Sequence, residues 1–258
     1  MIFLQNIKQP KIAITVVTGF LGSGKTTFLS NYVKYLLNKN ENPSIIVNEY
    51  GNLDIDSNAL SHDIEVASIL NGCICCDLQR DLIKQLKHFI NKSAMHHIII
   101  EATGIAHPIE IIAACQDPEI VEYLDAPVVI GLVDAPRFLT RTQYTNSTKQ
   151  LMEEQLKVSH AIVINKMDLL DSVGYDKIKE IEKINPRVPK FYTSYADLDM
   201  DNIIITADES MSHLEQPMHH HGIKSMQYQF TGAIDRQLFY QFILRLPDNV
   251  LRLKGYVK

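Results

Sequence analysis

The chain has 258 residues, 46% of them hydrophobic, with 30 acidic and 25 basic side chains and a formal net charge of −5. That length and composition suffice for the core of one large domain with a small appendage, and they exclude disorder as the general state of the chain. The negative balance and the lack of a Lys/Arg cluster speak against a nucleic-acid groove as the main surface, and no apolar run is long enough to span a bilayer. The N-terminus lacks the signal-peptide order of charge, apolar stretch and small-residue cleavage site, so a cytoplasmic location is expected. In that compartment the four cysteines read as ligands or reactive thiols before disulfides.

In chain order, the apolar run Ile12 to Val17 predicts a buried strand, and it opens into Gly19-Phe20-Leu21-Gly22-Ser23-Gly24-Lys25-Thr26, the pattern G-x-x-x-x-G-K-[ST]. Glycines let backbone N–H groups turn inward around phosphate oxygens, and the following helix aims its positive end at them. Gly22, Ser23, Gly24, Lys25 and Thr26 are therefore candidate nucleotide contacts, Lys25 reaching the outer phosphates and Thr26 holding Mg²⁺. A helix follows over Thr27 to Asn38, with Phe28, Val33, Leu36 and Leu37 as its apolar stripe. Strands are expected at Ser44 to Val47, His97 to Ile100, Val128 to Val133, Ala161 to Ile164 and Lys190 to Thr193. Helices are expected at Leu78 to Ile90, with Asp77 as its N-cap, and at Ile109 to Ala114, Lys149 to Lys157 and Tyr175 to Ile184.

This alternation predicts an α/β fold, a mostly parallel sheet covered by helices on both faces. The turn-rich Tyr195 to Asp201, and then Glu209 to Gly222, read as a connection leaving that domain. Ile223 to Phe230, Asp235 to Leu246 and Val250 to Val257 read as strand, helix, strand, a unit too short for its own core. The expected organisation is a nucleotide-binding domain over 1–208, a His-containing linker over 209–222, and a short, partial α+β unit over 223–258.

Three further motifs carry chemistry. Asn165-Lys166-Met167-Asp168 follows a buried strand, and a carboxylate there accepts hydrogen bonds from N1–H and the exocyclic amine of guanine, a donor pair that adenine lacks. Asn165 either bonds the other edge of the base or ties its loop to the phosphate loop, while the Lys166 stem covers the base face. In Glu101-Ala102-Thr103-Gly104, the acidic residue ends a strand, where it holds a Mg²⁺-bound water, and Gly104 lets the backbone approach a γ-phosphate. Gly104 is followed by Ile105 and not by a Gln able to orient water, so slow unassisted hydrolysis is expected, with Lys25, Thr26 and Glu101 as the catalytic set. Cys73-Ile74-Cys75-Cys76 offers three thiols in four residues, a set that favours Zn²⁺ or Cu(I) over Mg²⁺ or Ca²⁺ and needs a fourth ligand from elsewhere. Cys115 reads as a small buried apolar residue, and His213, His219, His220 and His221 as weak metal capture or a solvated linker.

Together these motifs resemble the CobW family of metallochaperone GTPases, relatives of the GTPases that assist nickel insertion into hydrogenase and urease. The resemblance rests on Gly19 to Thr27, Asn48-Glu49-Tyr50-Gly51, Asn71 to Cys76, Glu101 to Gly104, Val133-Asp134-Ala135 and Asn165 to Asp168. It implies a P-loop GTPase that binds Mg·GTP, with Thr27 added to the nucleotide contacts, and hydrolyses it slowly. It also implies a transition metal, zinc first, at Cys73, Cys75 and Cys76, and handover to a client apo-metalloprotein. A first switch loop over Asn48 to Asp56 follows by the same resemblance, with Glu49 as a further contact of the transition metal and Asp56 near Mg²⁺. Because the cysteines lie between that loop and Glu101 to Gly104, closure of both on the γ-phosphate is expected to change how the thiolates converge. A homodimer is the expected assembly, with neither nucleic acid nor membrane as a partner. The alternatives are a cobalt- or nickel-inserting GTPase, a zinc sensor or buffer with weak GTPase activity, and a P-loop small-molecule kinase, which would need neither Asp168 nor the clustered thiols.

Overall fold

The computed structural model describes residues 10–47, 64–68, 75–92, 96–204, 206, 207, 235, 238, 239, 241 and 242, with the backbone alone for 68 and 75–78. The chain divides into two compact units, Met1–Gln216 and Pro217–Lys258. In the first, the strands are β1 (Ala13–Thr18), β2 (Pro43–Val47), β3 (Val66–Ser68), β4 (His97–Glu101), β5 (Val128–Asp134), β6 (Ala161–Asn165) and β7 (Lys190–Tyr192). The helices are α1 (Lys25–Asn38), α2 (Cys75–Ile90), α3 (Pro108–Cys115), α4 (Ala135–Leu139), α5 (Asn146–Lys157) and α6 (Ser172–Ile178).

The seven strands form one sheet in the order β3-β2-β4-β1-β5-β6-β7, and every pairing is parallel. Runs such as Ile45-Ile46-Val47, Ile98-Ile99-Ile100 and Ile162-Val163-Ile164 are buried throughout, as strands covered on both faces require. Alternate residues serve opposite cores. Val17, Ile45, Ile99 and Val163 pack beneath α1, whereas Val16, Ile46, Ile98 and Ile100 pack beneath α2 and α3. On that second face, Ile162 and Ile164 meet Phe138 of α4, Leu156 of α5 and Ile178 of α6.

Three expectations are corrected. Asp77 lies within α2, which already includes Cys75 and Cys76, so it does not precede the helix as a cap. The helix expected over Tyr175 to Ile184 starts earlier, because Asp171 caps Ser172–Ile178 by accepting the Gly174 N–H at 2.7 Å, and it tightens to a 3₁₀ turn over Lys179–Lys183. The stretch from Tyr195 does not leave the domain: Ala196, Met200, Ile203 and Ala207 are buried in the core beneath α1. Their spacing of four, three and four is that of a helix face.

The expected linker lies outside the described residues. In the second unit, Asp235 opens a helical turn, its Oδ1 accepting the Leu238 N–H at 2.9 Å and its carbonyl the Phe239 N–H at 2.9 Å. Among the described residues no helix is long and apolar enough to cross a membrane.

Candidate nucleotide site

β1 lies at the centre of the sheet, between β4 and β5, and the strand order reverses there. Parallel sheets bind ligands in the crevice that such a reversal opens at the carboxyl ends of the strands. The phosphate loop occupies that place. Gly24, at φ +98°, turns the chain into α1, and a Cβ there would lie 2.3 Å from Asn165 Nδ2, so only glycine fits. It also leaves α1 without a side-chain cap, and the first turn of the helix carries no acidic residue, so its N–H groups stay available to an anion.

Lys25 is buried, and its ammonium donates to the carbonyls of Gly19 at 2.8 Å and Phe20 at 3.4 Å. Burial lowers its pKa, against the opposing pull of Glu101. Burial likewise raises the Glu101 carboxyl, opposed by Lys25 and then by the hydroxyl of Thr26, which donates to Glu101 Oε1 at 3.3 Å. Phosphate loop, β4 terminus and first turn of α1 thus form one charged cluster. Two hydroxyls beside it, Thr18 Oγ1 and Ser23 Oγ, are buried without a hydrogen-bond partner among the described residues. Thr27 follows in the first turn of α1 and is exposed.

Of the two readings of Asn165, the structure has the tie between loops. Its Nδ2 donates to the Ser23 carbonyl at 3.0 Å and its Oδ1 accepts the Ala196 N–H at 3.0 Å, so one buried amide joins phosphate loop, β6 and the segment after β7. Lys166 adopts φ +64° and pairs with Asp134 at 2.7 Å. Asp134 also accepts the Arg137 N–H at 3.0 Å, and Arg137 Nη1 donates to the Leu21 carbonyl at 2.5 Å. A chain of contacts thereby runs from the Asn165 motif back to the phosphate loop. The Asp168 N–H donates to Ser194 Oγ at 3.0 Å, while its exposed carboxylate accepts no hydrogen bond from the described residues.

Gly104 closes the site from the β4 side. A Cβ on it would lie 2.7 Å from the Leu21 backbone nitrogen, so the two loops touch through backbone. No local pattern marks the roles of Asp134, Arg137, Gln155, Ser194 or Ala196, whose contacts in this site span 26 to 116 residues of chain. Glu49, Asp56, Cys73 and His213 to His221 lie outside the described residues. Cys75 and Cys76 are described only as the first two residues of α2. Cys115 ends α3 fully buried, its thiol pushed up to about 12 by burial, in keeping with an apolar role.

Fold and loops define a P-loop GTPase fold of the α/β class. The model of the CobW/HypB/UreG nucleotide-binding domain matches residues 13–191, and the chain belongs to that family. It is 31% identical over 198 residues to a zinc chaperone CobW of Sinorhizobium sp, covering 67% of this chain and 55% of the relative. With the zinc chaperone YjiA of Escherichia coli it shares 27% identity over 269 residues, covering 95% of this chain and 81% of the relative. The crystal structure of Zn(II)-bound YjiA GTPase from E. coli superposes with a TM-score of 0.56 at 25% identity, over 77% of this chain and 63% of that one. The chain spans 55%, 64% and 62% of the length of three curated relatives.

Proposed function

We propose that this protein is a GTP-hydrolysing metallochaperone that binds zinc at Cys73, Cys75 and Cys76 and couples its nucleotide state to delivery of the metal to a client apo-metalloprotein. The observation that carries the nucleotide half is the convergence of Lys25, Thr26, Glu101 and Asn165 at the carboxyl ends of β1, β4 and β6, around a helix start that the chain leaves uncapped. The metal half is supported by its relatives, which are zinc chaperones and a zinc-regulated GTPase metalloprotein activator.

In this reading GTP lies across the phosphate loop, with Lys25 turning from the loop carbonyls toward the outer phosphates. Asp168 reads guanine through its free carboxylate, and Lys166, its ammonium steadied by Asp134, covers the base face. The donors Thr26 Oγ1 and Glu101 Oε1 are hard oxygens at one spot, which fits Mg²⁺. When bound, Mg²⁺ neutralises charge developing on the β- and γ-oxygens. Gly104 is followed by Ile105 and not by a Gln able to orient the attacking water, so turnover is slow.

Zinc is cargo. The three thiolates supply soft donors, and α2 begins at Cys75, so two of them ride on a helix whose Leu82, Leu86 and Phe89 pack in the same core as Ile100 of β4. The test replaces Cys73, Cys75 and Cys76 by Ser and titrates zinc against a chromogenic chelator. Loss of tight zinc binding with GTP binding retained is expected, because a protonated hydroxyl is a poor zinc ligand. Stoichiometric zinc binding by the triple variant would move the metal elsewhere, with His213 to His221 the first place to look.

A further inference from the structure

The loop over 102–107 joins β4 to α3 and touches the phosphate loop at Gly104. Its first residue is anchored to β1, Ala102 N–H donating to the Val17 carbonyl at 2.9 Å, and Ala106 N–H closes a turn within the loop on the Thr103 carbonyl at 3.0 Å. Its middle is held by a side chain from a distant element. Gln155 of α5 is 1% exposed, and its Nε2 donates to the carbonyls of both Gly104, at 3.1 Å, and Ala106, at 3.2 Å. A primary amide has two hydrogens, and here both are given to one loop. The neighbouring Glu154 adds a second strap, its Oε2 lying 3.3 Å from His107 Nδ1. Gln155 is itself fixed, because Ser159 Oγ donates to its carbonyl at 2.8 Å and Asn185 Nδ2 to the next carbonyl, that of Leu156, at 3.1 Å.

Gly104 is paired on one side only. Its carbonyl is bound by Gln155, whereas its N–H donates to none of the described residues. The peptide unit is planar, so the clamp on the Gly104 carbonyl sets the direction of the N–H in that unit, the Ile105 N–H, which donates to none of the described residues. The direction of the Gly104 N–H is set by the Thr103 carbonyl, held by the Ala106 N–H of the residue that Gln155 also clamps.

We propose that Gln155 is a positioning residue for the third phosphate of the nucleotide: by holding the Gly104 carbonyl it presents the loop backbone to the γ-phosphate, and it passes the presence of that phosphate to α5. The inference rests on the guanine-nucleotide reading of the site. It has a consequence specific to triphosphates. GDP lacks the group that meets this loop, so Gln155 contributes to GTP affinity and not to GDP affinity.

The test compares Gln155→Met, similar in size without a donor, and Gln155→Glu, similar in shape without an amide proton, by competition of GDP and a non-hydrolysable GTP analogue against a fluorescent nucleotide. Loss of two buried hydrogen bonds is expected to weaken the analogue by about tenfold or more while GDP affinity stays within about twofold. A general packing defect would weaken both alike, and an unchanged ratio overturns the inference. Hydrogen exchange on the parent protein gives an answer that needs no variant. With the analogue, relative to GDP, both 102–107 and α5 gain protection; protection confined to 102–107, or absent, overturns the link to α5. A parent protein that binds neither nucleotide overturns the reading of the site itself, which these outcomes keep separate from failure of the Gln155 role.

Discussion

Two buried polar clusters sit at opposite ends of β1, and they differ in whether the chain completes them. Near the amino end, Thr15 Oγ1 lies 2.8 Å from His97 Nε2 and 3.2 Å from the Tyr32 hydroxyl, which is 3.3 Å from the same nitrogen, while Glu41 faces the other ring nitrogen at 3.7 Å. At the carboxyl end, Thr18 Oγ1 and Ser23 Oγ have no partner among the described residues, and Lys25 occupies itself with carbonyls of its own loop. An unpaired buried polar group costs about 1–3 kcal/mol, so a fold keeps such groups only where something else makes use of them. The completed cluster holds β1, α1 and β4 together. The incomplete one is where a ligand belongs.

If that contrast is right, variants at the two ends should separate stability from nucleotide binding. The largest effect is expected from Lys25→Ala, which should reduce GTP turnover by roughly a hundredfold or more, because catalysis of phosphoryl transfer is mostly charge stabilisation and positioning. Removing this cation leaves two loop carbonyls and the buried Glu101 carboxylate without it, so the melting temperature should fall, but by far less than turnover does. Phosphate release and thermal unfolding on the same preparation check both parts. Parent-level hydrolysis would place the activity at another site.

Asp168→Asn comes next. Its carboxylate is free in this structure, so folding should be untouched, while loss of a charged acceptor for guanine should cost about 1.5–3 kcal/mol of GTP affinity. Competition between GTP and xanthosine triphosphate reads this directly: the variant should gain relative preference for xanthine, and unchanged selectivity would remove the base from this loop.

The smallest effect on function, and a clear one on stability, is expected at the other end. His97→Gln should leave nucleotide affinity unchanged and cost about 1–3 kcal/mol of unfolding free energy. Burial holds the His97 pKa down to about 4, and His160, whose Nδ1 accepts the Val129 N–H, likewise to about 4 by burial. Both folded values lie below the ordinary histidine value of about 6.5, so the unfolded chain binds more protons between the two. Stability is therefore complete above about pH 6.5 and falls as the pH drops toward about 4. Urea unfolding at pH 7 and pH 5 should show that fall in the parent protein and a shallower one in His97→Gln; equal slopes would mean that His97 titrates as freely as in the unfolded chain.

Legibility in the sequence followed locality. The strand, loop and start of α1 around Gly19 to Thr26 were readable because an apolar run, four glycine or lysine positions and a helical stripe sit within one short segment. Asn165 to Asp168 was readable for the same reason. β3 and α4 were not, since three residues of strand and five of helix are too few to show a period, although Pro136 beside the Asp134 cap marked the latter. The apolar spacing of Ala196, Met200, Ile203 and Ala207 was present but overshadowed by the turn residues before it. What no local pattern could supply were long-range contacts such as Asp134 to Lys166 across 32 residues and Gln155 to Gly104 across 51, whereas the tie of Asn165 to the phosphate loop, made at Ser23 across 142, was one of two readings its motif offered. Each pairs a side chain with an atom that only the parallel crossover topology brings near.

Coupling between nucleotide and metal is tested most directly by zinc affinity measured in three nucleotide states. A chelator competition with no nucleotide, with GDP and with a non-hydrolysable GTP analogue should give a zinc Kd in the analogue state that differs from the other two by about fivefold or more, with the reciprocal shift in analogue affinity when zinc is present. In Lys25→Ala the three values should coincide. Identical zinc affinities across all three states in the parent protein, with the analogue bound, would contradict the claim that the nucleotide governs the metal.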